Sequence, residues 1–302
     1  MTSADRAAAT TVTAPKSIWL DEARPPPLWR RFAHHRLFMT GAIILVFMLA
    51  LAIFADLIQI LPPEKMQVRL RFQTPTWAYP LGTDNYGRDI WSRLVHGARL
   101  SLIIGLAVAL ATGILGTLIG VLAGYFKRLD GFLMRFMDAL MAFPAILLAI
   151  AIAAALGPSA INVVIALSVV YTPRMARVVR STVMVVREMD YVKAAKACGA
   201  RDRWIIWRHV IPNSMAPLLV QLTFIFAYAI LAEAILSFLG VGPPPPTPTW
   251  GSMIAEGKDY LREAPHISLF PGIAVALICL GLNLLGDGLR DVLDPRLRVQ
   301  YG

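Results

Sequence analysis

The chain has 302 residues, 57% of them hydrophobic and 16% charged, with a formal net charge of +10. So little polar surface excludes a soluble globule and puts the chain in a bilayer. The positive charge does not indicate nucleic acid, because Lys and Arg are confined to the segments between apolar runs, which is the pattern of membrane topology.

The first 38 residues hold Pro25, Pro26 and Pro27 and the basic group Arg30, Arg31, His34, His35 and Arg36, without an apolar core of their own. They read as a cytosolic tail with no cleaved signal peptide. A hydrocarbon core of about 30 Å takes roughly 20 apolar residues as helix. Six stretches predict such spans, at about Met39 to Ile60, Leu100 to Tyr125, Phe132 to Leu156, Ala160 to Val179, Met215 to Leu239 and Ile267 to Leu289. Pro173, Arg174 and Arg177 interrupt the second half of the fourth, which fits an end emerging into the cytosol.

The expected organisation is an all-α integral membrane domain over 39–289, with a cytosolic tail at 290–302. External segments lie at 62–99 and 241–266, and a polar insert occupies 190–212. Of the Lys and Arg residues, 21 fall on the side holding both tails and the insert, and 8 fall on the other. Both termini and the insert are thereby expected in the cytosol.

Within the second span Gly116, Gly120 and Gly124 recur every fourth residue below Gly105 and Gly113. This spacing favours close helix packing within the subunit over a subunit interface. On the outer side, Asp84, Arg88 and Asp89 predict an ion-pair network ordering the approach to the second span, with contact to an external protein as the alternative. Asp138 lies near the cytosolic surface and reads as solvated. Pro243 to Pro246 and Pro248 predict a stiff outer connector. Glu233 interrupts the outer half of the fifth span, where an ionisable group is costly unless paired or facing water. It is a candidate pathway or gate residue, with burial against a polar partner as the other reading. Asn283 in the sixth span is a second candidate pathway or gate residue, with a packing bond across helices as the favoured reading.

In the insert, Asp190 is placed to cap a short helix through Ala197, Gly199 to end it in a left-handed conformation, and Asp202 to cap a second helix from Arg203 to Val210. Pro212 is expected to prevent its simple continuation, with Asn213 or Ser214 capping the fifth span. By length and residue order alone the insert is either a connector or a surface on which a soluble partner pushes.

Ala194-Ala195-x3-Gly199 followed by Pro212 resembles the EAA loop of binding-protein-dependent ABC importer permeases, Glu-Ala-Ala-x3-Gly-x9-Ile-x-Leu-Pro. Lys193, His209 and Ile211 depart from it, at the Glu, first Ile and Leu positions. Leu81-Gly-Thr-Asp84-Asn-Tyr-Gly87-Arg88-Asp89, Ala142-Phe-Pro144, Leu236-Ser-Phe-Leu-Gly240 and the run from Asn283 through Gly286, Asp287 and Arg290 to Asp294-Pro295 are similar to the dipeptide, oligopeptide and nickel branch. They match the second of its two paired permeases.

The resemblance implies the six-helix type I importer permease fold, a second homologous permease as heterodimer partner, two cytosolic ATPase subunits and an external solute-binding protein. It implies a peptide substrate, with glutathione-like compounds or nickel chelates as alternatives, and ATPase coupling through Lys193, Ala194, Ala195, Gly199, Asp202 and Pro212. No Gly-x4-Gly-Lys-Ser/Thr loop, paired-acid constellation or metal motif occurs, and Cys198 and Cys279 build neither a disulfide framework nor a cluster. The chain is therefore expected to be non-catalytic and without a cofactor, with ATP and Mg on the partner ATPases. An ion-coupled secondary transporter, the rival class, would need more midplane carboxylates than Glu233.

Overall fold

The computed structural model describes residues 28–293, so most of both tails and the Asp294-Pro295 motif lie outside the described residues. The helices run, in chain order, α1 (Leu28–His34), α2 (Arg36–Ile53), α3 (Ala55–Ile58), α4 (Ile90–Tyr125), α5 (Lys127–Met141), α6 (Ala145–Leu156), α7 (Ala160–Arg187), α8 (Asp190–Ala197), α9 (Asp202–Ile205), α10 (Ile211–Phe238), α11 (Trp250–Gly257) and α12 (His266–Leu293). Among the described residues there is no strand, only an isolated bridge between Thr83 and Asp89. Among the described residues, five helices are each long and apolar enough to cross a bilayer: α2, α4, α7, α12 and the rod from Asp202 to Phe238.

The third predicted span is not one rod. It divides into α5 and α6, bent by 87°, and the 12 residues of α6 cover only about 18 Å of a hydrocarbon core of about 30 Å. Pro144 cannot donate to the preceding turn and disfavours helical backbone at Phe143. The composition of α5 completes the break: Lys127, Arg128, Asp130, Arg135 and Asp138 share one face, opposite Leu129, Phe132 and Phe136. Such a helix suits an interface better than a hydrocarbon midplane.

Two ion pairs join α5 to the inner half of α7. Asp130 takes both Nε and Nη2 of Arg180, at 2.5 and 2.6 Å, and Asp138 takes Arg177 at 2.6 Å. Asp138, expected as a solvated group, is thus paired although more than half exposed. With its arginines so matched, α7 continues eight residues past Val179, and Pro173 sits inside it.

The most extensive helix pairing is α4 with α7. A Cβ on Gly116 would stand 2.5 Å from Met175 Cβ, one on Gly120 2.7 Å from the Ala176 carbonyl oxygen, and one on Gly124 2.8 Å from Val183 Cβ. The glycine ladder is therefore spent inside the subunit. Higher on α4, Gly105 and Gly113 receive Ile230 and Leu222 of α10. The core runs in layers from Trp250, Ile278 and Met48 through Leu167, Ala153 and Leu236 to Val183, Ile205 and Val210. Ile103, Leu106, Leu110, Ile114 and Leu118 form an outward apolar stripe on α4.

Candidate coupling hairpin

Helices α8 and α9 form a hairpin between α7 and α10, turned by Gly199 at φ +81°. No side chain with a Cβ adopts that backbone cheaply. The amide of Ala200 returns to the Ala195 carbonyl at 3.1 Å and that of Gly199 to Lys196 at 3.0 Å, closing the C-terminus of α8. Lys193, Ala194, Lys196, Ala197, Cys198 and Gly199 are exposed, Ala195 is half-buried, and nothing lies within 4 Å of a Cβ built on Gly199.

The root of the hairpin is apolar and closed. Val192, Ile205 and Val210 are buried against Val183, Val186 and Val121. Asp202 is the first residue of α9, not its cap, and its Oδ1 accepts from Tyr125 Oη at the end of α4, at 2.6 Å. Asp190 likewise opens α8 inside the helix, without a side-chain capping bond. Arg187 donates to the Gly124 and Tyr125 carbonyls at 2.8 and 3.3 Å. His209 lies between the rings of Tyr191 and Trp204, at centroid distances of 5.6 and 5.0 Å, and so bridges the two arms.

Pro212 does not stop the second arm. A π turn over Ile206–Val210 joins α9 to α10, with the Ile211 amide reaching back to the Ile206 carbonyl. The widened turn accommodates the proline ring and missing donor. Asn213 and Ser214 cap nothing; their side chains donate to the His209 and Val210 carbonyls at 2.6 and 2.8 Å, two acceptors at the distorted turn.

Lys193 Nζ stands 3.6 Å from Glu188 Oε2, both groups more than half exposed. Desolvation works against ionising Glu188, but the Arg187 hydrogen bond and the charges of Lys193 and Arg187 outweigh it and hold the carboxyl below its usual range. The position where the loop motif has a carboxylate thus carries a cation whose own acid lies five residues upstream.

Glu233 is fully buried. Its Oε2 accepts from Ser101 Oγ of α4 at 3.1 Å and its Oε1 from Ser237 Oγ at 2.7 Å, while Ser101 Oγ accepts from the Trp250 amide at 3.3 Å. This hub ties α4, α10 and α11 together. Glu233→Gln keeps the volume and an acceptor and is expected to stay within about 1 kcal/mol of the parent, whereas Glu233→Ala leaves a void and two orphaned hydroxyls and should cost about 2–4 kcal/mol. Thermal melting of the detergent-solubilised subunit compares the two, and equal losses would contradict the hub. Asn283 does not bond across helices: its Nδ2 donates to the Cys279 carbonyl of its own helix at 2.9 Å.

On the outer side, Asp84 accepts from Arg88 Nε at 2.6 Å and Arg93 Nη1 at 2.9 Å, and both arginines also reach Glu256 of α11. Burial pushes the Glu256 carboxyl up, and the Arg88 charge pulls it back. Asp89 stands apart from the ion pairs and caps α4, accepting from the Ser92 amide at 2.9 Å. Sequence reading missed Arg93, Glu256, Ser101 and Tyr125. For Ser101 the available signal was a lone hydroxyl in an apolar run, but Tyr125 gave none, since its partner is 77 residues away.

Residues 116–299 match the family described as binding-protein-dependent transport system inner membrane component, and residues 28–75 match the N-terminal TM domain of oligopeptide transport permease C. A protein of Brucella abortus described as a permease of a peptide transport system is 52% identical, over 96% of this chain and 99% of that protein. The dipeptide transport system permease protein of Alkalihalophilus pseudofirmus is 43% identical over 89% of each chain. The glutathione transport system permease protein of Pectobacterium atrosepticum is 39% identical over 89% of this chain and 90% of that one. The helical spans, the ordered motifs and these matches agree: the chain belongs to the family of binding-protein-dependent transport system inner membrane components, as a multi-pass permease subunit of a bacterial ABC importer.

Proposed function

We propose that this permease carries peptides and receives work from a cytosolic ATPase through the hairpin 190–212. Two ATPases, a second homologous permease and an external binding protein complete the importer. The peptide reading is supported by relatives named for peptide and dipeptide transport. The observation that carries the coupling reading is the contrast between the two sides of the hairpin. Its tip is an exposed rim of Ala194, Ala197 and Gly199, and its root, Val192, Ile205 and Val210, is wedged among three spans.

Closure of the ATPases around ATP would draw the hairpin sideways. Through the Asp202–Tyr125 bond, the Arg187 bonds to the end of α4 and the continuous rod into α10, that displacement reaches α4, α7 and α10 together, a two-state element biased from outside. Lys193, Ala194, Ala195 and Gly199 form the contact, and Asp202 and Pro212 hold its shape.

Gly199→Trp tests this. The space around the tip is open and the backbone strain is local, about 1–2 kcal/mol. The variant should therefore insert and melt close to the parent while uptake and substrate-stimulated ATP hydrolysis by the assembled importer fall at least about ten-fold. Coupling that survives the bulky ring refutes the reading.

A further inference from the structure

The exposed residues of the hairpin are strongly one-signed. Lys193, Lys196, Arg201, Arg203 and Arg208 all lie on its surface, against Asp190 and Asp202. Of those two acids, Asp202 is engaged by the Tyr125 hydroxyl. Lys193 shares the exposed Glu188 with Arg187. Lys196, Arg201, Arg203 and Arg208 form no ion pair among the described residues. Lys193 and Lys196 are one turn apart, a spacing at which like charges repel on a helix.

These cations are also placed around a bare strip. Lys193 and Lys196 flank exposed Ala194 and half-buried Ala195 in the chain, exposed Ala197 follows Lys196, and Arg201 and Arg203 follow the Gly199 turn. The small residues admit a partner surface close to the backbone, and the cations stand at its margins.

We propose that the ATPase surface receiving this hairpin is a groove with acidic rims, its carboxylates facing Lys193, Lys196, Arg201 and Arg203. The proposal rests on the coupling reading above and adds the chemistry of the partner. Opposite potentials across an interface steer association and reject wrong partners. Lys193, standing where the loop motif has a carboxylate, fits such a groove and would be repelled by a basic one. Anionic lipid headgroups would also neutralise the cations, but they have no use for an exposed alanine and glycine strip, whereas a groove does.

The test uses the assembled importer in nanodiscs, prepared with zwitterionic lipid alone and with added phosphatidylglycerol. For the parent protein, binding of the ATPase subunits to the permease should weaken steeply as salt rises. The triple variant Lys193→Glu, Lys196→Glu, Arg201→Glu should lose at least about ten-fold in ATPase association and in stimulated hydrolysis in both lipids. Lysines substituted for groove carboxylates should recover part of the loss. Because these side chains are exposed, the melting temperature of the permease should not move.

Salt-independent association overturns the proposal, as does a triple variant that couples normally. A defect confined to anionic bilayers assigns the cations to lipid and overturns it as well. If Gly199→Trp uncouples and the triple variant does not, the coupling reading stands and the acidic groove falls. If neither uncouples, both fall.

Discussion

Replacing Gly120 by leucine should prevent the subunit from reaching its folded state. A Cβ at that position would lie 2.7 Å from the Ala176 carbonyl oxygen and 2.7 Å from Val179 Cβ, so even alanine presses on backbone that has no rotamer to change. Over-packing a close seam costs about 1–3 kcal/mol for extra methylenes, and occasionally more, because neighbours must shift. Here the neighbour is the axis of α7, which also carries Arg177 and Arg180 to α5 and the hairpin root to α8. Parting α4 from α7 therefore disturbs three other contacts at once. Expected outcomes are loss of the monodisperse species after detergent extraction for Gly120→Leu and a lowered melting temperature for Gly120→Ala. Gly131→Ala, on the exposed face of α5 with nothing within 4 Å, is the silent control. A normal melt for Gly120→Leu would show that the two helices have room to separate.

Asp84→Ala should be the most damaging substitution on the outer side. Asp84 accepts from the Tyr86 and Arg88 amides at 2.8 and 2.9 Å as well as from the two guanidinium groups, and it is 2% exposed. Its removal leaves Arg88 and Arg93, each at most 3% exposed, sharing the single carboxylate of Glu256. Removing one partner of a buried ion pair costs about 3–5 kcal/mol, mostly because the other charge is stranded. The external segment 62–89 should then detach from α11, giving new protease cleavage there while the spans remain intact. Arg93→Ala leaves Asp84 and Glu256 still joined by Arg88 and should cost less. If Asp84→Ala neither lowers the melting temperature nor opens the segment to protease, the cluster is not holding the outer side together.

What the sequence made legible divides along physical lines. Apolar length marks a span reliably, so α2, α4, α7, α10 and α12 are visible as runs, and the Lys and Arg asymmetry orients them. The same length criterion is blind to a bend. It gave no sign that the stretch Phe132 to Leu156 is broken, although the charged face of α5 and Pro144 were both present in the sequence. Capping rules gave acceptable helix starts at Asp190 and Asp202, but tertiary demand overrode them: Asp202 is drawn to Tyr125, a residue no local pattern connects to it. The Gly199 turn was legible because its requirement is local. The hub at Glu233 was half legible, since its cost in an apolar run shows from sequence while its partners on α4 and α11 do not.

The π turn at Ile206–Val210 fixes an angle between the hairpin and the outer end of the subunit. It works as one extra residue wound into a rod that runs from Asp202 to Phe238. Each residue of an α-helix turns the chain by about 100°. Deleting a residue within the turn would remove that extra residue and restore an ordinary α turn. Deleting one between Asn213 and Gln221 would instead shorten the rod by only about 1.5 Å yet rotate everything beyond it, swinging Glu233 off Ser101 and Leu222 off Gly113. The number of residues between hairpin and hub is thus set by phase rather than by reach, so this stretch should tolerate changes of side chain far better than any change of length.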